Sequence, residues 1–291
     1  MNRLPKKGFL AAHPRCIFCA GRTKTEEPDH QPGQQMFDRN VWPEWYEFPA
    51  CASCNRATAN DEVLVNMFAR FPHFLASEEK LEDFIERRFP DALKQFPDLY
   101  WAMRISENQR KRLQRFNGGR TGVVIRFPEE FRYRFNRVAF KLGAALHWMH
   151  ADRQIIPEDG GCIVDIVTNQ NEELSLQGDE FLRELANQRK NPVASRRSLS
   201  DQFEYDFWSH EEHIGLYSIR LRKHFRFIIG VVMNPSDFQA FASIPALSHK
   251  MVQPFDPAET TVPGYRQHRP PKGVYRWRVL AGADPNGSAP Q

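Results

Sequence analysis

Between residues 129 and 150 apolar side chains recur as Phe131, Phe135, Val138, Leu142, Leu146 and Met149. Steps of three and four place them on one side of a 3.6-residue helix, so the stretch predicts a long amphipathic helix with one face on a core. Downstream the period changes. CIVDIVT, FEYDFW, LYSIRLR and FRFIIGVVM are short runs rich in β-branched and aromatic residues, and each predicts a strand. GVVIRF at 122–127 reads the same way, and a short helix is expected from Asp179 to Arg189. Upstream, Asn60-Asp61 is placed to cap a helix through EVLVNMFARF; a second helix is expected from Ser77 to about Pro90 and a third from about Ser106. Residues 1 to about 60 show little periodicity and are broken by Pro and Gly. The pattern predicts an α+β protein: a small N-terminal module (1–72), a helical connector (73–120), an α+β domain whose mostly antiparallel sheet packs on one long helix (121–252), and a Pro-rich extended tail (253–291).

Composition narrows this picture. A chain of 291 residues with 41% hydrophobic and 12% aromatic content can fill a sizeable core. Lys and Arg number 40 against 36 acids, a net charge of +4, so any surface for a polyanion must come from local clustering. No run of about 18 apolar residues occurs and MNRLPKKGFLAAHPR lacks a long apolar core, so neither a spanning helix nor a signal peptide is expected, and the cytoplasm is the expected compartment. The five cysteines fall as two close pairs and a distant Cys162, which suits a reducing compartment and a metal site better than a disulfide frame. Cys162, beside Gly160-Gly161 and an apolar run, is expected to be buried and inert.

The chemistry concentrates near the N-terminus. Cys16-Ile-Phe-Cys19 and Cys51-Ala-Ser-Cys54 are two C-x-x-C pairs, each able to form a tight knuckle that turns two thiolates onto one ion. Together they predict a tetrahedral four-cysteine zinc site with no position open to water. Such an ion is structural and supplies roughly 10–16 kcal/mol of binding energy to a module with little core of its own. Between the pairs lies Asp29-His30-Gln31-Pro32, and Asn55 directly follows the last cysteine.

In this order, C-x-x-C, then D-H-x-P, then C-x-x-C-N, the chain resembles the HNH endonuclease family in its zinc-bound treble-clef (ββα-metal) form. The resemblance spans about residues 13 to 62. It implies a β-hairpin and a helix built around a catalytic divalent cation, with His30 as general base for the attacking water and Asp29 and Asn55 as ligands of Mg2+ or Mn2+. One carboxylate and one amide carbonyl suit such hard cations and leave room for phosphate and water. A neutral imidazole, with an unperturbed pKa near 6.5, can take the proton at pH 7. The implied activity is hydrolysis of DNA phosphodiesters, with RNA left open, and similar modules occur in phage-defence and restriction nucleases. The alternative is a zinc module without hydrolysis that binds nucleic acid or a protein. Two departures stand out: PEWYEFPAC offers Glu44, and no asparagine nearer than Asn40, where the family carries an asparagine, and Arg56 is the only cation close behind Cys54.

Several cations are candidates for phosphate contact. Arg56, and Arg110, Lys111 and Arg112 within QRKRLQR, are the expected substrate-binding residues. On the long helix Arg134, Arg137 and Lys141 form a stripe beside the apolar face, and Arg220, Arg222, His224 and Arg226 alternate along a strand; either could track a phosphate backbone or remain a solvated face. Trp42 and Trp45 fit a small hydrophobic core better than base stacking, and His13 a loop. The C-terminal α+β part is the expected surface for a protein partner or a second copy of the chain.

Overall fold

The computed structural model describes residues 5–38, 42–43, 46–70, 129–167, 193–199, 202–210, 214–222, 225–238 and 251–258. Met1–Phe71 and Tyr133–Val262 form one compact unit, so the cysteine-bearing module and the α+β region share a body. The expected helices over 77–90 and from Ser106, the strand at 122–127, the helix Asp179–Arg189 and the tail beyond Ala258 lie outside the described residues, as do Arg110, Lys111, Arg112, Trp45 and His224.

The module begins with helix α1 (Lys6–Ala12), then the first cysteine pair, then an antiparallel hairpin of β1 (Glu27–His30) and β2 (Glu47–Ala50). Helix α2 (Ala52–Arg56) follows β2 at once, and α3 (Ala59–Ala69) comes after a short turn. Helix α3 starts ahead of the expected Asn60-Asp61 cap. Its N-cap is Thr58, whose hydroxyl donates to Glu62 Oε1 at 2.8 Å, so Asp61 and Glu62 fall within the first turn, where carboxylates suit the helix dipole.

The long helix α4 (Glu129–His150) follows the predicted span, and the strands align with the apolar runs: β3 (Gly161–Val167), β5 (Phe203–His210), β6 (Ile214–Leu221) and β7 (Phe225–Val232). Two strands had no clear signal. β4 (Val193–Leu199) reads VASRRSL, too polar to stand out, and takes one edge of the sheet; β8 (Met251–Val252) is two residues long and takes the other. The order is β4-β5-β6-β7-β3-β8, antiparallel throughout. Every position of β7 is buried, as expected of a central strand covered on both faces.

Helix α4 departs from the one-faced helix of the sequence pattern, because it is covered on two sides. Toward the sheet it approaches so closely that a Cβ on Gly143 would lie 2.7 Å from Ile229 Cγ2, so only glycine fits there. Phe135 packs on Phe225, and His147 Nδ1 meets the Tyr217 hydroxyl at 3.3 Å. Toward the module it meets Phe48 through Trp148 and Phe68 through Phe135. The module also reaches the sheet directly, through the Tyr46 and Tyr205 hydroxyls at 3.0 Å and the Phe37 and Phe203 rings. Cys162 is fully buried, and burial pushes its thiol up. The start of the expected tail is pinned: Phe255 N–H donates to Phe18 O, and the Pro257 carbonyl accepts from the Ser53 hydroxyl.

Candidate metal centre and the adjoining charge pocket

The four cysteines Cys16, Cys19, Cys51 and Cys54 come together, their sulfurs all within 4.8 Å of one another and all four residues buried. A tetrahedral ion at Zn–S near 2.3 Å needs sulfurs about 3.8 Å apart, so this set could hold zinc. Local structure explains the convergence. Cys51 is the N-cap of α2 and its sulfur accepts from Cys54 N–H at 3.4 Å, so the helix start holds one pair. The first pair sits in a turn closed by Gly21 N–H to Cys16 O, with Ala20 and Gly21 both at positive φ, and Cys19 Sγ lies 3.0 Å from the Thr23 hydroxyl. Crowded sulfur on sulfur, Cys19 is drawn down to about 6 by Cys16, and Cys51 is drawn further down by Cys16 and Cys19. Cys16 and Cys54 are pushed up by the same neighbours, and bound zinc would take all four as thiolates.

Asp29 and His30 follow each other in β1, so they point to opposite faces of the hairpin. His30 is paired in register with Glu47 of β2, and its Nε2 lies 3.3 Å from Glu47 Oε1. The Trp42 ring stands edge-on to the imidazole at 5.8 Å. Both side chains of the His30–Glu47 pair are partly exposed.

Asp29 faces inward, 6% exposed, and meets α4: Lys141 Nζ lies 2.6 Å from Asp29 Oδ2. That ammonium, with no solvent exposure, also donates to the Asn55 main-chain carbonyl at 3.3 Å and lies 3.8 Å from Glu62 Oε1. The Phe18 ring lies under it, 5.1 Å from the ring centre. Gln31 Nε2 lies 3.3 Å from both Asp29 oxygens and from Glu62 Oε1, and Gln35 Nε2 donates to Glu62 Oε2 at 3.0 Å. A Cβ on Gly33 would overlap the Glu62 carboxylate, so any side chain there would displace Glu62 within the pocket. Beside Glu62 on α3, Asp61 holds Arg134 at 2.6 Å and Arg137 at 3.2 Å, and Arg137 also donates to Ala57 O. Three acids of the module, Asp29, Asp61 and Glu62, thus meet three cations of α4.

Burial opposes charge throughout this pocket. It pushes Asp29, Asp61 and Glu62 up, against the pull of Lys141 on Asp29 and Glu62 and of the arginines on Asp61. Burial also works to strip Lys141 of its proton, but Asp29 and Glu62 outweigh it and hold its pKa above the ordinary lysine value.

The structure therefore brings Asp29 and the Asn55 carbonyl to one cation and turns His30 to the other face. As placed, Asp29 does not fit as a free ligand of Mg2+ or Mn2+, because the ammonium already holds its carboxylate, and the Asn55 atom that meets the ammonium is its main-chain oxygen, not the side-chain amide expected as a ligand. The stripe of Arg134, Arg137 and Lys141 is spent on internal ion pairs instead of facing phosphate. On the sheet Arg220 pairs with Glu204, Arg222 with Asp38 at 2.9 Å, and Arg226 is buried. Arg56 is exposed on α2. Sequence reasoning placed Lys141 in a phosphate-tracking or solvated stripe and passed over Glu62, Gln31 and Glu47. The available signals were a Lys at helical spacing from two Arg in a stretch otherwise built for a core, and paired acids opening α3.

A scan against protein-family models finds no match, and no curated protein and no solved structure matches the chain. Among the described residues no helix is long and apolar enough to cross a membrane.

Proposed function

We propose that the N-terminal module is a zinc-clamped, HNH-like treble clef that binds nucleic acid without hydrolysing it through a divalent ion. The observation that carries this reading is the buried Lys141–Asp29 pair at 2.6 Å, which commits the one carboxylate that the resemblance assigns to the reactive cation. Breaking such a pair leaves a buried charge uncompensated and is strongly unfavourable, so Asp29 is no loose ligand awaiting an ion. Binding is the role left to the exposed cations of the module: Lys6 and Lys7 on α1, Arg15 and Lys24 facing each other across an isolated bridge beside Cys16, and Arg56. Like charges directly opposite each other are mutually unfavourable, and a phosphate between Arg15 and Lys24 relieves that.

A second reading, retained phosphodiester hydrolysis, is favoured by the His30–Glu47 pair. A Glu47 carboxylate accepting from Nε2–H would leave Nδ1 as the base, the arrangement by which a carboxylate orients a catalytic imidazole. One experiment separates the two. Supercoiled plasmid with Mg2+ or Mn2+ is expected to stay intact with the zinc-loaded chain, while fluorescence anisotropy detects duplex binding that weakens with salt. Arg15→Ala or Lys24→Ala is expected to reduce the slope of log affinity against log salt by about 1 each. Nicking that dies on chelation of the divalent ion and falls about 10²- to 10⁴-fold in His30→Ala would sink the first reading in favour of the second.

A further inference from the structure

After β8 pairs with the edge of β3, the chain leaves the sheet and runs onto the cysteine module, where three consecutive residues are tied to both cysteine pairs. Phe255 N–H donates at 2.9 Å to the carbonyl of Phe18, which lies inside Cys16-x-x-Cys19. The Pro257 carbonyl accepts at 3.0 Å from the hydroxyl of Ser53, which lies inside Cys51-x-x-Cys54. Arg22 adds a third tie, its guanidinium donating to the carbonyls of both Cys19 and Phe255. The Phe255 ring rests on Phe140 of α4 at 5.2 Å, with the Arg137 guanidinium 5.3 Å from its centre. On the hairpin side the pairs are joined separately, by Ile17 N–H to Pro49 O at 3.0 Å.

The two attachments differ in how easily they open. Ile17 is 1% exposed and meets a residue of the β1–β2 ladder, whereas among the described residues 253–258 show no ladder pairing, and Gln253, Asp256 and Ala258 are exposed. Segments with few buried contacts open locally at a fraction of the cost of global unfolding. All four cysteines are at most 3% exposed, so a competing ligand reaches the sulfurs only when one knuckle moves off the other. We propose that residues 253–258 are a strap across the four-cysteine centre, and that lifting it is the step that opens the sulfurs to exchange of their metal. The strap is a kinetic lock, set by contacts far from the cysteines in the chain. It rests on reading the centre as a zinc site and is independent of whether the module hydrolyses nucleic acid or only binds it.

The test follows zinc loss from the full-length, zinc-loaded chain to excess 4-(2-pyridylazo)resorcinol, by the absorbance of the dye complex. Phe255→Ala is expected to lose zinc about 10-fold faster than wild type, and Ser53→Ala, which removes one hydrogen bond, about 3-fold faster. Ile219→Ala, a cavity in the sheet core away from the strap, is expected to lower the melting temperature and yet lose zinc within about twofold of the wild-type rate, since local opening does not require the sheet to unfold. Acceleration by Ile219→Ala that matches its loss of melting temperature would show release through global unfolding and overturn the proposal. Wild-type rates in Ser53→Ala overturn it too, whether or not Phe255→Ala folds, and leave the zinc reading standing. A purified chain that binds no zinc overturns both.

Discussion

Asp29 shows how far the role of one residue depends on its partner. Beside a histidine and between two cysteine pairs it reads as a removable metal ligand, and Asp29→Ala would then leave the fold intact. Its 2.6 Å contact with a fully buried Lys141 reverses that expectation. Lys141→Met should cost about 3–5 kcal/mol, because two buried carboxylates lose their cation, and urea denaturation will measure it as a lower midpoint. Asp29→Asn/Lys141→Met should be far less damaging than the sum of the single changes, since neutral groups replace both ends of the pair. Near-additive costs would show that the two residues are not coupled. His30, one residue on, has a different fate only because strand alternation turns it to the other face, where Glu47 is its cross-strand neighbour.

At the scale of elements, helix α4 was legible in extent but not in surroundings. Its three- and four-residue spacing specifies a helix and one apolar side, whereas the second covering layer comes from a module more than sixty residues upstream in the chain. Local spacing sets Arg134 and Lys141 beside the apolar face but does not name their partners. Their acids, Asp61, Asp29 and Glu62, are distant in sequence, and pairing is decided by how α3 and β1 are carried onto the helix. Strand β4 escaped for the opposite reason, since an edge strand needs no continuous apolar run. A second tie joins the module to the sheet through Asp38, which contacts Arg222 at 2.9 Å and Arg70 at 2.7 Å. The Arg222 hydrogen bond holds the Asp38 carboxyl below its usual value against the opposing effect of burial. With the folded pKa below the unfolded one, the stabilisation is present at neutral pH and is lost as acid carries the pH below the ordinary aspartate value toward the folded one. Wild type should therefore melt above Asp38→Asn at pH 7, with the gap closing as the pH falls below about 4. A gap unchanged by pH would remove Asp38 from this role.

For the molecule as a whole, the shared body makes the four-cysteine centre matter beyond its own module. Cys54 lies next to the Asn55 carbonyl that Lys141 holds, α4 carries Lys141, and α4 is packed on β6 and β7 through His147 and Gly143. Cys51→Ser is therefore expected to lose zinc and to lower the melting temperature of the sheet as well, in one cooperative step, as followed by near-ultraviolet circular dichroism and zinc content. Two separated transitions, with the later one unchanged from wild type, would show that module and sheet unfold independently. A Cys51→Ser chain that keeps full zinc stoichiometry would remove the four-cysteine assignment itself.

Close spacing and short-range period were enough to specify the cysteine tetrad's members, the long helix and the four apolar strands, because thiolate knuckles, helical faces and strand alternation are properties of neighbouring residues. The partner of each charged side chain was settled elsewhere. Which cation stands against Asp29 depends on bringing residue 141 to residue 29 across a folded interior, and there the cost of burying a lone charge selects the neighbour that cancels it.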